Sequence, residues 1–196
     1  MKKFFTLFIA VFICFHYSSV ALADGFDAAA KNAIAFDSNT GKILYEKEAD
    51  TPVPVGSLSK LLTAYLVYDA IQAEKITMDS PVDISDYSLN LTTNYDISNL
   101  PLDKGRYTVE ELLEASLIAN ANSATISLAE KIAGNEKKFV DMMKNKLKEW
   151  GITNAKIVNS TGLNNSYLGD HIYPGSKKDD ENQLSAYALA IISYLL

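Results

Sequence analysis

Ser57-Leu58-Ser59-Lys60 sets a hydroxyl and an amine three residues apart. On a helix that spacing puts both side chains on one face, and Ser57, at the helix start, stands at the positive end of the helix dipole. An amine held against the hydroxyl can take its proton once burial or a neighbouring cation lowers the lysine pKa, which makes the serine a nucleophile. The backbone amide of Ser57 would then be available to an oxyanion hole. Taken alone the pair is weak: ordinary residue usage gives on the order of one Ser-x-x-Lys by chance in a chain this long. A helix cap followed by a surface lysine accounts for such a match. The setting strengthens it, because the pair opens an unusually apolar helix behind Pro52 and Pro54.

Other routes to catalysis are thinly supplied. Cys14 is the single cysteine, and His16 and His171 are the two histidines. Cys14 and His16 fall in a leader-like start: Met1-Lys2-Lys3, an apolar run from Phe4 to Phe15, then Ala21-Leu22-Ala23. That order predicts a secretory signal over residues 1–23, with cleavage after Ala23. Its apolar core is too short to span a bilayer as a helix, so a retained anchor is the weaker reading. Cys14 follows Ile13, where lipid modification would require a small residue. The mature chain is thus expected to carry no thiol, no disulfide and one histidine, which excludes a zinc site built on several His or Cys ligands. A Ser-His-Asp triad would have to use His171, which lies in the polar, Gly/Pro-containing stretch 169–175 and reads as an exposed loop residue.

The net charge of -6 becomes -8 once Lys2 and Lys3 are removed with the leader. Nucleic acid is therefore not an expected partner, and little draws the chain to anionic lipid, since both polyanions need a basic patch. A hydrophobic content of 48% over 196 residues supports a core that can hold without disulfides.

The elements that must position Ser57 and Lys60 follow from the pattern. Residues 33–36 and 42–46 are β-prone runs around the turn cluster Asp37-Ser38-Asn39-Thr40-Gly41, a hairpin. From Ser57 to about Ala73, Leu58, Leu61, Leu62, Tyr65, Leu66 and Ala70 recur at helical spacing. Residues 75–107 read as short extended pieces and loops. Thr108-Val109-Glu110-Glu111 fits a capping box opening a helix through Leu117. Further helices are predicted over 123–133 and 136–150, stopped by Gly134 and Gly151. A short strand over 155–158 leads into the turn-rich Asn159-Ser160-Thr161-Gly162. The last helix, from Ser185, runs to Leu196 without a capping signal, which suggests a chain that continues. With no internal repeat or linker, residues 24–196 read as one domain or part of one.

Four ordered segments resemble the serine penicillin-binding family, specifically low-molecular-mass D-alanyl-D-alanine carboxypeptidases. They are residues 34–45 around the hairpin, Val55-Gly56-Ser57-Leu58-Ser59-Lys60-Leu61-Leu62-Thr63, Ala119-Asn120-Ala121-Asn122-Ser123-Ala124 and Val158-Asn159-Ser160-Thr161-Gly162-Leu163. The resemblance spans nearly all of residues 24–196. It implies an α+β fold of the β-lactamase/transpeptidase type, with an antiparallel sheet flanked by helices, a helical subdomain carrying the first two motifs, and an incomplete C-terminal end.

By the same resemblance Ser57 is the acylated nucleophile and an oxyanion donor, and Lys60 is its proton acceptor. Asn122 matches the asparagine of the family's Ser-x-Asn motif and would orient both Lys60 and the substrate peptide. Asn120 stands where the family has serine, and an amide cannot relay a proton as a hydroxyl does. The third motif, Lys-Thr-Gly or Lys-Ser-Gly, does not occur within residues 1–196. Its strand supplies the second oxyanion donor, so half that hole is expected to be missing, and helices such as 123–133 are expected to show exposed apolar faces.

The reaction implied is release of the terminal D-alanine from peptidoglycan stem peptides ending in D-Ala-D-Ala, through an acyl-enzyme that β-lactam antibiotics also form. No cofactor or metal is implied, and the setting is the extracytoplasmic cell wall or outer membrane face. Membrane association through a later C-terminal segment is common in the family. Two other readings stay open: a catalytically degenerate cell-wall or penicillin-binding protein, and a serine β-lactamase.

Overall fold

Capping residues decide where most of the helices begin. In the computed structural model, which describes residues 26–196, Thr108 and Glu111 form the expected reciprocal box. The Thr108 hydroxyl accepts from the Glu111 N–H at 3.1 Å, and the Glu111 carboxylate accepts from the Thr108 N–H at 2.8 Å. Asn135 caps the helix starting at Glu136, and Ser185 caps the one starting at Ala186. Each such cap contributes about 1 kcal/mol. Among the described residues six α-helices result: α1 (Ser59–Gln72), α2 (Asp86–Leu91), α3 (Val109–Leu117), α4 (Asn122–Ala133), α5 (Glu136–Glu149) and α6 (Ala186–Leu195). Ser57 lies in a single 3-10 turn, Gly56–Leu58, that feeds directly into α1. The leader expected over residues 1–23, with Cys14 and His16, lies outside the described residues.

Three two-stranded antiparallel sheets accompany the helices among the described residues. Strand β1 (Ala33–Phe36) pairs with β2 (Ile43–Lys47), the predicted hairpin. Strand β3 (Val53–Pro54) pairs with β6 (Gln183–Leu184), and β4 (Pro81–Asp83) with β5 (Arg106–Thr108). Lys31–Leu196 is one compact unit. Its helical part is organised around α1 and α4. Leu62 and Leu66 of α1 pack with α5, Leu184 and α6, whereas Ala64 and Val67 of the same helix pack with β4, α3 and α4. A helix buried on two sides needs apolar residues around most of its circumference, which explains why the run after Ser57 is so uniformly apolar.

Two expectations are corrected here. Helix α4 shows no exposed apolar face: Asn122 through Ala129 are all buried, because α1, α2, α3 and α5 surround it. Exposed apolar side chains include Ile43 and Leu44 on the hairpin, Tyr194 and Leu195 at the end of α6, and Tyr95 and Ile118 on loops. Residues 155–158 form only an isolated bridge, Lys156 to Gln183, since the partner segment turns away into the cap of α6 after Leu184.

The turn Asn159–Gly162 packs against the backbone that leads into Ser57. Asn159 Oδ1 accepts from the N–H groups of Thr161 and Gly162 at 3.2 and 2.7 Å, and Asn182 accepts from those of Val158 and Asn159 at 2.7 and 3.2 Å. Gly162 has φ +83°, and a Cβ there would stand 1.8 Å from the Gly56 carbonyl oxygen. Gly134, the C-cap of α4, has φ +81° but open space around it. Gly134→Ala should therefore cost only the left-handed conformation, about 1 kcal/mol. Gly162→Ala should cost about 3 kcal/mol or more, because the turn or Gly56 must also move. Denaturant unfolding of the two variants checks this, and equal losses would mean that the close approach is not tight.

Candidate active site

The start of α1, the start of α4 and the turn 159–162 meet at one amine. Lys60 is 3% exposed, and its Nζ lies 3.1 Å from Ser57 Oγ, 2.8 Å from Asn122 Oδ1 and 3.3 Å from the Thr161 carbonyl oxygen. Asn122 Nδ2 donates to the Ser98 carbonyl at 2.9 Å, which fixes the amide so that its oxygen faces the lysine. Ser57 itself is exposed. It opens on a cleft of about 330 Å³ whose walls include Leu61, Ser116, Leu117 and Asn120.

The partner types decide what Lys60 can do. A protonated amine has three hydrogens, and here it finds three acceptors. A neutral amine has two hydrogens and one lone pair. Asn122 Oδ1 and Thr161 O can only accept, so the lone pair is left for the one partner with a proton of its own, the Ser57 hydroxyl. Losing a proton therefore reverses the Ser57 contact with no heavy atom moved, as the hydroxyl hydrogen turns toward the amine, and converts Lys60 from a donor into a base aimed at the nucleophile.

Burial lowers the Lys60 pKa from 10.5 to about 8. Among the described residues no carboxylate lies within ion-pair distance to oppose that shift. At pH 7 roughly one amine in ten is neutral. The folded value lies below the unfolded one, so between about 8 and 10.5 the unfolded chain holds the extra proton. The stability attributable to Lys60 consequently rises with pH across that window.

A model of the D-alanyl-D-alanine carboxypeptidase family matches residues 18–196. The chain belongs to that family. It is 35% identical over 135 residues to the D-alanyl-D-alanine carboxypeptidase DacF of Bacillus subtilis (strain 168), covering 68% of this chain and 34% of that protein. Among solved structures, the peptidoglycan synthesis regulatory factor PBP3 of Streptococcus pneumoniae shares 63% identity with a TM-score of 0.84, over 86% of this chain and 47% of that one. Penicillin-Binding Protein D2 of Listeria monocytogenes, solved with ampicillin, shares 25% identity with a TM-score of 0.68, over 87% of this chain and 62% of that one. The chain thus spans about a third of the length of the curated relative. The fold is that of the penicillin-binding protein and transpeptidase structures it matches, over the part these residues cover.

For this carboxypeptidase-family chain the structure brings Ser57, Lys60 and Asn122 together and sets Asn120 on the rim of the same cleft. Asn120 has φ +55°, and its side chain makes no hydrogen bond to the described residues. Asparagine tolerates that left-handed conformation better than serine does, which gives Asn120 a local reason to stand there. His171 is exposed and stacks on Tyr87, ring centroids 3.7 Å apart, while the side-chain partner of Ser57 is Lys60. Among the described residues no three His, Cys, Asp or Glu side chains converge as a metal site would require.

Reasoning from the sequence missed the Thr161 carbonyl, the third acceptor of Lys60. Residues 158–163 were legible as a family segment and as a turn, but a main-chain acceptor leaves no signature in residue type. Protein labelled at the lysine ε-carbon should show one resonance, absent from Lys60→Met, that titrates near pH 8. A Lys60 midpoint near 10.5 would mean that the amine is hydrated and that this geometry does not hold in solution.

Proposed function

We propose that the protein is a serine-type D-alanyl-D-alanine carboxypeptidase of the bacterial cell wall, exported by a signal over residues 1–23. The observation that carries this reading is the buried amine of Lys60, 3.1 Å from the exposed Ser57 hydroxyl and shared with Asn122. Neutral Lys60 takes the Ser57 proton as Oγ bonds to the carbonyl carbon of the penultimate D-alanine. The Ser57 N–H donates to the developing oxyanion. The peptide C–N bond then breaks, D-alanine leaves with a proton returned from the Lys60 side, and the peptide remains as an ester on Ser57. Water attacks that ester, the C–Oγ bond breaks, and Ser57 recovers its hydrogen. Asn122 orients Lys60, and in this reading it is also the residue that would orient the substrate peptide.

A β-lactam would acylate the same oxygen by opening of its strained amide, with both halves of the drug retained on Ser57. The family relationship and the ampicillin complex of the Listeria relative support that partner. A peptidoglycan peptide ending in D-Ala-D-Ala is the substrate the family name supports. Rapid hydrolysis of the penicilloyl ester would instead favour a β-lactamase.

A second reading has an observation of its own. Asn120 offers an amide where a hydroxyl would hand the proton to the leaving amine, which favours a protein that binds cell-wall peptide and is acylated slowly or turns over poorly.

Incubation of the full-length protein with a peptide ending in D-Ala-D-Ala should release free D-alanine, and Ser57→Ala should abolish that release. Asn120→Ser should raise turnover by about tenfold or more if leaving-group protonation limits it. No release by wild type together with release by Asn120→Ser would establish the degenerate reading, and no release by either would sink the carboxypeptidase assignment.

A further inference from the structure

Glu136 is the first residue of α5, 6% exposed, and it faces the far side of the turn whose Thr161 carbonyl holds Lys60. Its Oε1 accepts from both the N–H and the hydroxyl of Ser160, at 2.9 and 2.6 Å, and its Oε2 accepts from the Tyr87 hydroxyl at 2.8 Å. All three partners have a hydrogen to give to its oxygens, an arrangement that suits a carboxylate. It stands in the first turn of α5, where the helix dipole favours negative charge. Among the described residues no lysine or arginine pairs with it. A buried carboxylate held only by hydrogen bonds is costly to keep, and an apolar residue would fill the site at less risk.

What those bonds secure is the placement of one peptide unit. The Ser160 carbonyl accepts from the Thr63 hydroxyl at 2.7 Å, and Thr63 lies one helical turn after Lys60 on α1. Ser160 is thus clamped to α5 through its N–H and hydroxyl and to α1 through its carbonyl. The next carbonyl, Thr161 O, accepts from Lys60, and the residue after that, Gly162, abuts Gly56 beside the nucleophile. We infer that Glu136 is a positioning residue for the Ser57–Lys60 pair, acting through Ser160 to hold the Thr161 carbonyl against the lysine amine.

This inference deepens the carboxypeptidase reading and takes its chemistry from it, yet its geometry concerns Lys60 alone. The Lys60–Thr161 bond, at 3.3 Å, is the longest of the three and the first to open if the turn relaxes. Water would then reach the amine and restore its affinity for a proton. The other titratable groups facing Glu136 are the Tyr87 hydroxyl on α2 and Glu130 on α4. Burial is the main cause that pushes both of their pKa values up; the charge of Glu136 comes next for Tyr87, while for Glu130 it adds to the rise after a Ser85 hydrogen bond that opposes it, and His171 stacks on Tyr87.

The test is the Lys60 titration in ε-carbon-labelled Glu136→Ala and Glu136→Gln, with folding checked by thermal melting and with the rate of acylation by a fluorescent penicillin measured beside it. Glu136→Ala should raise the Lys60 midpoint from about 8 by a unit or more, and so slow acylation at pH 7 about tenfold. Glu136→Gln keeps an oxygen for Ser160, and the Tyr87 hydroxyl can turn to accept, so midpoint and rate should stay within about threefold of wild type. If Glu136→Ala does not fold, Ser160→Ala, which retains the N–H bond, should show a smaller rise in the same direction. A folded Glu136→Ala or Ser160→Ala with an unmoved midpoint overturns the inference, as does a Gln variant displaced as far as Ala. Failure of wild type to be acylated, with the midpoint still responding to Glu136, would count against the enzymatic reading and leave the positioning role standing.

Discussion

A lysine amine removed from water must find an acceptor for every hydrogen it keeps, and around Lys60 that requirement draws the fold together. Its three acceptors come from residues 57, 122 and 161. The first is one helical turn away, and the other two are distant in sequence. Satisfying them together obliges α1, the start of α4 and the turn after residue 158 to converge on one point. The low pKa follows from the same burial, and so does the reversal of the Ser57 contact when the amine loses its proton. Structure and chemistry here share one cause.

The convergence is held by polar clamps more than by strand pairing. Each two-stranded sheet is short, and β3–β6 pairs only two residues on each side. Around the turn, Asn182 donates to Ser59 Oγ and to the Asn159 carbonyl at 3.0 and 2.9 Å, tying the turn to α1 from one side while Glu136 holds Ser160 from another. Asn159, Asn165 and Asn182 are all buried and engaged in hydrogen bonds. Buried amides of this kind are tolerable only when nearly every donor and acceptor is met, so they specify a single arrangement of the loop. The residual slack lies on the open side of the cleft, where the Asn120 side chain makes no hydrogen bond to the described residues and its backbone is left-handed.

Local signals carried the sequence reading well where the physics is local. The Thr108–Glu111 box, the glycine stops after α4 and α5 and the hairpin turn at Asp37–Gly41 each depend on residues a few positions apart, and all appear where the pattern put them. The Ser57–Lys60 pairing was legible for the same reason, being one helical turn. What was not legible depends on distance in the chain. Strand β6 meets β3 across more than a hundred residues, Glu136 meets Ser160 across 24, and neither contact alters a periodicity or a cap. Glu136 in particular reads in sequence as an ordinary first-turn acid of a charged helix. The expected exposure of α4 failed because it weighed only the sheet on one side and not the four neighbouring helices that cover the rest.

The central claim is that the buried Lys60 amine activates Ser57, and covalent labelling tests it most directly. Full-length protein would be incubated with penicillin at pH 7, digested, and the peptide containing Ser57 weighed in wild type, Ser57→Ala and Lys60→Ala. The account predicts an adduct of intact penicillin mass on Ser57 in wild type, none in Ser57→Ala, and formation slowed by about a hundredfold or more in Lys60→Ala. An adduct on another residue, or one that forms on Ser57 equally fast without Lys60, would contradict it.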